Sequence, residues 1–187
     1  MISLEVPGLA ALPAYAAALA TGWSPNTTRD VSTEQLEALR ADPEAFLAAL
    51  NRRGGGTVRL GNGAEVPRLP GCERWIWDGE FCGRINLRFM EGTEALPAFV
   101  SGHIGYAVVP WKRRRGYATE ALRLMLPLAR AEGLCRVEIT CDADNEASRR
   151  VILANGGVLL GTRLDWAEPA KPKLVFQVPT ERKEPAA

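Results

Sequence analysis

Histidine is almost missing from this chain: His103 is the only one in 187 residues. The four cysteines, Cys72, Cys82, Cys135 and Cys141, have none of the paired spacings that hold zinc, so no metal is expected. Four cysteines are also too few to staple a chain of this length, and reduced thiols are expected, with Cys135 and Cys141 in or beside a buried strand. Charge of one sign is lacking too. The formal net charge is +1, which argues against wholesale nucleic-acid binding. No apolar run approaches the roughly 18 residues of a membrane helix, so no membrane partner is expected. The opening Met1-Ile-Ser-Leu-Glu-Val-Pro7 has neither the basic nor the long apolar region of a secretory leader. The expected location is the cytoplasm. Neither a Gly-x-Gly-x-x-Gly fingerprint nor a Gly-Lys-Ser/Thr loop occurs at the basic turn described next.

What is present fits one globular domain with a sizeable core: 47% of residues are hydrophobic and 24% charged. The most informative stretch runs from Gly105 to Leu126. An alternating apolar run ends at Pro110, and four cations follow at Lys112, Arg113, Arg114 and Arg115. Then come the small residues Gly116 and Ala118, and a pattern of helical period. Strand, basic turn, glycine and helix start aim several unpaired N–H groups at one point, where the helix dipole adds positive potential. Small residues allow a ligand close to the backbone, and arginines complement its charge. A phosphate or pyrophosphate fits such a turn.

Downstream, Arg136 to Cys141 reads as a strand, and Asp142-Ala-Asp-Asn145 supplies turn and cap chemistry. A short helix follows, closed by Asn155-Gly156. Together, Arg113-x-x-Gly116-x-Ala118 and Asn145-x-x-Ser148 resemble the coenzyme A loop and following helix of the GCN5-related N-acetyltransferase (GNAT) family. The resemblance is tightest from about Gly102 to Gly161 and looser from Glu73. Upstream of residue 70 no motif carries it.

The resemblance implies an α/β (α+β) fold: a central mixed, mostly antiparallel sheet of six to seven strands, with helices on both faces. It also implies that the family's fourth and fifth strands splay apart around the pantetheine arm of acetyl-CoA. Carried over, Val108 and Val109 offer backbone contacts to that arm. Backbone N–H groups from Arg114 through Arg115, Gly116, Tyr117 and Ala118 to Thr119 hold the pyrophosphate. Arg113, Arg114 and Arg115, with Arg149, pair with the phosphates, and Asn145 and Ser148 contact the phosphate or pantetheine arm. Capping alone would also account for Asn145. The implied partners are acetyl-CoA as cosubstrate and an amine acceptor; a homodimer is an open assembly state.

The implied reaction is direct acetyl transfer to a primary amine, which must be deprotonated to attack. His103 lies near the position where some members place a catalytic glutamate, so it is the candidate general base; a structural histidine at the loop–strand junction is the alternative. Many relatives carry a proton-donating tyrosine in the helix after Asn145, where this chain has Ile152. Tyr106, Tyr117, Cys141 or water is left to protonate the thiolate, unless it leaves unaided. That departure also keeps open a non-catalytic acyl-CoA sensor on the same fold. A third reading, a basic-aromatic nucleic-acid patch from Trp111 to Tyr117, predicts steep salt dependence.

The chain divides into a helical N-terminal part with a loop (1–70), a cofactor-binding core (71–179) and a fraying tail (180–187). Helices are expected over Leu9–Ala20, Thr33–Arg40 and from Asp42-Pro43, with Phe46, Leu47 and Leu50 as apolar face. Arg52–Gly63 reads as a glycine-rich loop or loose hairpin. Glu73–Phe89 reads as a hairpin around the two-residue turn Asp78-Gly79. The helix after Gly116 should bury Ala118, Ala121, Leu122, Met125 and Ala129, and Pro127 should kink it. Leu159–Leu164 and Lys173–Val178 are the last strands. Trp75, Trp77, Asn86 and Arg88 on the hairpin, with Trp23 and Trp111 in loops, are candidates for meeting the acceptor or for packing.

Overall fold

The computed structural model describes residues 1–27, 29–60, 62–164 and 171–181. Its elements in chain order are β1 (Ser3–Glu5), a 3-10 turn (Leu9–Ala11), α1 (Leu12–Ala20), α2 (Ser32–Ala41) and α3 (Pro43–Asn51). Next come β2 (Thr57–Arg59), β3 (Glu65–Pro67), β4 (Gly71–Trp77), β5 (Phe81–Arg88) and β6 (Ile104–Val108). A 3-10 turn (Pro110–Lys112) leads to α4 (Tyr117–Ala131), then β7 (Arg136–Asp142), α5 (Glu146–Ala154), β8 (Val158–Leu164) and β9 (Pro172–Pro179).

Seven strands form two antiparallel sheets, β1-β4-β5-β6 and β7-β9-β8, and β2 pairs with β3 in a separate hairpin. The α/β architecture of the resemblance is therefore present. The sheets meet where His103 lies against Glu138. His103 N–H donates to the Glu138 carbonyl at 2.7 Å, and Glu138 N–H donates to His103 Nδ1 at 2.9 Å. Past this point β6 and β7 share no ladder, which is the expected splay.

Each face of the first sheet has its own core. On one face, Ile76, Ile85, Leu122, Met125, Ile139, Ile152 and Phe176 lock α4 and α5 onto both sheets. On the other, α1–α3 dock through an aromatic cluster of Tyr15, Trp23, Phe46, Trp75 and Phe81. Period-two alternation assigns the faces: Ile85 and Leu87 point to the first core, while Arg84, Asn86 and Arg88 point the other way.

Several expectations need correction. The Asp78-Gly79 turn has three residues, 78–80, with a register shift between Ile76 and Trp77, because the strand bulges before the turn closes. Met1 to Pro7 was not expected to hold a strand, yet β1 adds to β4 through Ser3↔Trp77 and Glu5↔Trp75. Cys135 is exposed, one residue before β7 begins, whereas Cys141 is buried; all four thiols are free. Pro127 does not interrupt α4. It sits exposed on the solvent side, where water can satisfy the carbonyl left without a partner. The tail from 182 to 187, and the Gly61 end of the loose hairpin, lie outside the described residues.

Asp42 caps α3 as expected, accepting from Ala45 N–H at 2.9 Å with Pro43 in the first turn. Among the described residues no helix is long and apolar enough to cross a membrane.

Candidate active site

A cleft of about 1760 Å³ runs from the start of α4, along the open edge of β6, to the face of β5 and the β2–β3 hairpin. At its α4 end lies the basic turn. Gly116 is the N-cap of α4 and adopts a left-handed conformation (φ 76°), which glycine takes without the penalty of a Cβ. Its side offers no cap, and the first intrahelical bond is Glu120 N–H to the Gly116 carbonyl. The N–H groups of Tyr117, Ala118 and Thr119 therefore have no acceptor within the helix.

Arg113, Arg114 and Arg115 are exposed, and none forms an ion pair among the described residues. Arg114 also takes a positive φ of 61°. Arg113 Nε donates to the Val108 carbonyl at 3.2 Å. Lys112, the first cation of the run, does something else. Its ammonium is buried between Asp78 (3.0 Å) and Glu80 (2.8 Å), which tie the turn to the β4–β5 loop. Tyr117 Oη donates to the same Asp78 carboxylate at 2.6 Å. These bonds, Tyr117's first and then that of Lys112, hold the Asp78 carboxyl well below the ordinary carboxylate range.

α5 supplies the opposite wall. Asn145 Oδ1 accepts from Ser148 N–H at 3.0 Å, so Asn145 is a helix cap. Ser148 Oγ is 2.7 Å from Tyr106 Oη, which also approaches the Ser148 carbonyl at 3.3 Å. Asn155 Nδ2 donates to the Thr119 and Val151 carbonyls, fixing α5 against the first turn of α4.

Val108, Arg113, Arg114, Gly116, Tyr117, Ala118, Thr119, Asn145 and Ser148 thus line one cleft. Arg115 and Arg149 lie outside its lining, and Arg149 faces Glu146 at 3.7 Å. Val109 is fully buried; its N–H donates to the Cys82 carbonyl, and its carbonyl accepts from Lys112 N–H. Ladder alternation explains the difference from Val108. Arg88 N–H bonds His103 and Val109 N–H bonds Cys82, so the backbone groups of Ile104, Tyr106 and Val108 face the splay instead.

His103 does not line this cleft. It is 1% exposed, and its Nδ1 accepts from Glu138 N–H, which puts the proton of the neutral ring on Nε2. Burial lowers its pKa against a smaller opposing pull from Glu138. The geometry is that of a strut joining β6 to β7, not of a base facing a substrate. A testable consequence concerns stability. With the folded pKa below the unfolded value near 6.5, the unfolded chain binds more protons in that window, and stability should fall as pH drops through it. Thermal melts from pH 8 to pH 5 are expected to show this slope in the wild type and to lose much of it in His103→Asn, whose amide oxygen can still accept from Glu138. Equal slopes in both proteins would remove the strut.

Tyr106 and Ser148 were legible only as separate motifs. Their bond spans 42 residues and had no local signature. Ile152 is fully buried in the core at the family's tyrosine position.

The comparisons agree with this fold. The acetyltransferase (GNAT) domain model matches residues 17–158, and the chain belongs to that family. Among solved structures, Mycobacterium smegmatis RimJ in complex with CoA-disulfide is similar at 20% identity, over 95% of this chain and 81% of that one, with a TM-score of 0.60. The microcin C7 self-immunity acetyltransferase MccE, in complex with acetyl-CoA and AMP, is similar at 13% identity over 95% and 92%, with a TM-score of 0.61. A ribosomal-protein-S5-alanine acetyltransferase from Vibrio fischeri is similar at 14% identity over 98% and 96%, with a TM-score of 0.58. No curated protein matches the chain.

Proposed function

We propose that this protein is an N-acetyltransferase that moves acetyl from acetyl-CoA to a primary amine by direct attack. The observation that carries the reading is the α4 end of the cleft: the N–H groups of Tyr117, Ala118 and Thr119, without an acceptor inside the helix, beside three arginines with no ion pair among the described residues. That the related RimJ and MccE structures hold CoA-disulfide and acetyl-CoA supports it.

In this reading the pyrophosphate rests on the α4 N–H groups. Arg113 and Arg114 pair with it from the cleft wall, while Arg115 and Arg149 add charge from outside. The pantetheine amides bond the free edge of β6 at Tyr106 and Val108, and Asn145 and Ser148 flank the arm. The neutral amine nitrogen attacks the thioester carbonyl, the C–S bond breaks, and the amine proton passes to water. For the departing thiolate we assign Tyr106 as proton donor. It lines the cleft, and burial raises its pKa so that it stays protonated at neutral pH. Tyr117 is committed to Asp78. The free thiols fit a reducing compartment, and we place the protein in the cytoplasm.

Millimolar acetyl-CoA is expected to raise the melting temperature by about 2–8 °C, since a ligand that binds only the folded state adds its binding free energy to stability. Arg113→Ala should weaken coenzyme A about tenfold yet leave a phosphate-free pantetheine analogue nearly unchanged, because only charge-assisted pairing is lost. Equal losses for both ligands, or no thermal shift in the wild type, would refute the assignment. Binding without thiol release for every amine offered would make the protein a sensor instead.

A further inference from the structure

The other end of the cleft is lined by arginine. Arg84 and Arg88 stand four residues apart on the same face of β5, both half-buried. Every nitrogen of Arg84 has a partner. Its Nε and Nη2 grip Glu73 at 2.6 Å each, and Nη1 donates to the Pro25 carbonyl at 2.9 Å. Arg88 has one bond, from Nε to the Gly102 carbonyl at 2.6 Å, and no acidic partner among the described residues. Its remaining N–H groups open to the cleft. Burial and the neighbouring Arg84 lower its pKa to about 10, so it stays cationic at neutral pH.

A half-buried cation that faces a cleft with no counter-ion beside it is suited to an anionic ligand. Asn86 lies between the two arginines on that face, and its amide also lacks a partner among the described residues. Across the ladder from Asn86 sits Gly105. A Cβ there would stand 3.0 Å from Asn86 Oδ1 and 3.7 Å from Arg88 Nη2, so the missing side chain keeps this pocket open beside β6. Further out, Arg52, Arg59 and Arg68 line the same end with no ion pair among the described residues, while Glu73 is held by Arg84.

We propose that the acceptor amine carries an anionic group, a carboxylate or a phosphate, and that Arg88 together with Asn86 binds it beside the thioester. This rests on the acetyltransferase reading and narrows it. A guanidinium fork and an amide match two oxygens of such a group, whereas polyamines and other polycations are repelled by the same wall.

The test uses the full-length protein, acetyl-CoA and paired amines, with thiol release as readout. One arm compares amino acids and dipeptides bearing a free carboxylate with their C-terminal amides. The other compares phosphoethanolamine with ethanolamine, which separates phosphate from carboxylate. The anionic member of a pair is expected to lead by about 10–100-fold in kcat/KM, as for a charged hydrogen bond present or absent. Arg88→Met should bring that ratio to within about threefold while acetyl-CoA affinity, read by thermal shift, stays within about twofold. Arg88→Lys should keep part of the preference and guards against a Met variant that fails to fold. The proposal falls if the ratio is near one, if neutral or cationic amines are preferred, or if no anionic amine is consumed. Loss of acetyl-CoA binding by the wild type would instead bring down the acetyltransferase reading, and this proposal with it.

Discussion

Trp75→Ala is expected to cost about 3–5 kcal/mol of folding free energy, the range for removing a large aromatic from a closed core. Trp75 is completely buried. Its indole stacks on Tyr15 at 4.8 Å and 13°, and Phe81 meets it edge-on at 5.6 Å and 86°. Tyr15 in turn touches Trp23 and Phe46, so one side chain on β4 anchors the ring contacts of α1, the loop after it and α3. A domain of this size has about 5–15 kcal/mol in hand, and the loss takes a large share. The damage should be uneven. The helices of the first 51 residues dock through this cluster, whereas α4, β7 and β9 pack in the other core. Chemical denaturation should therefore show the full loss, and acceptor turnover should fall, while acetyl-CoA still produces a thermal shift. Trp75→Phe is expected to cost less than alanine, since the indole Nε1 has no partner among the described residues. A loss below about 1 kcal/mol for the alanine variant would mean the cluster is not what holds the helical part on the sheet.

The parts of the site that were legible in the sequence are those whose physics is local. Gly116 after a basic turn marks a helix start, and Asn145 three residues before Ser148 marks a helix cap. Each depends on neighbours within one helical turn, and each stands where it was expected. The parts that were hidden depend on contacts made far along the chain. Lys112 reads as one more phosphate cation until Asp78, 34 residues away, is brought to it. His103 reads as a base because it is alone, yet Glu138, 35 residues on, turns it into a strut. Strand β1 is three residues long and has no pattern of its own; its pairing with Trp75–Trp77 makes it a strand. The same holds for the acceptor end of the cleft. Arg84 and Arg88 look alike in sequence, and only the folded contacts, which give the Glu73 carboxylate to Arg84 at 2.6 Å, leave one paired and the other open.

Gly116→Val tests the cofactor end most directly and is expected to weaken coenzyme A at least about tenfold, or some 1.4 kcal/mol. Two effects act together. A β-branched residue is disfavoured at φ 76°, so the turn must shift or hold strain. In addition, a Cβ at this position meets no protein atom within 4 Å. It projects into open space at the mouth of the cleft, beside the N–H groups assigned to the pyrophosphate. Gly116→Ala separates the two effects, since it brings the backbone penalty with less bulk and should fall between wild type and valine. The protein itself should stay folded, because Gly116 is exposed and contributes nothing to either core. Affinity measured by calorimetry should drop for coenzyme A and much less for a pantetheine analogue lacking the phosphates. If a folded valine variant binds coenzyme A as tightly as wild type, the phosphates rest on some other part of the chain, and the role assigned to the start of α4 is wrong.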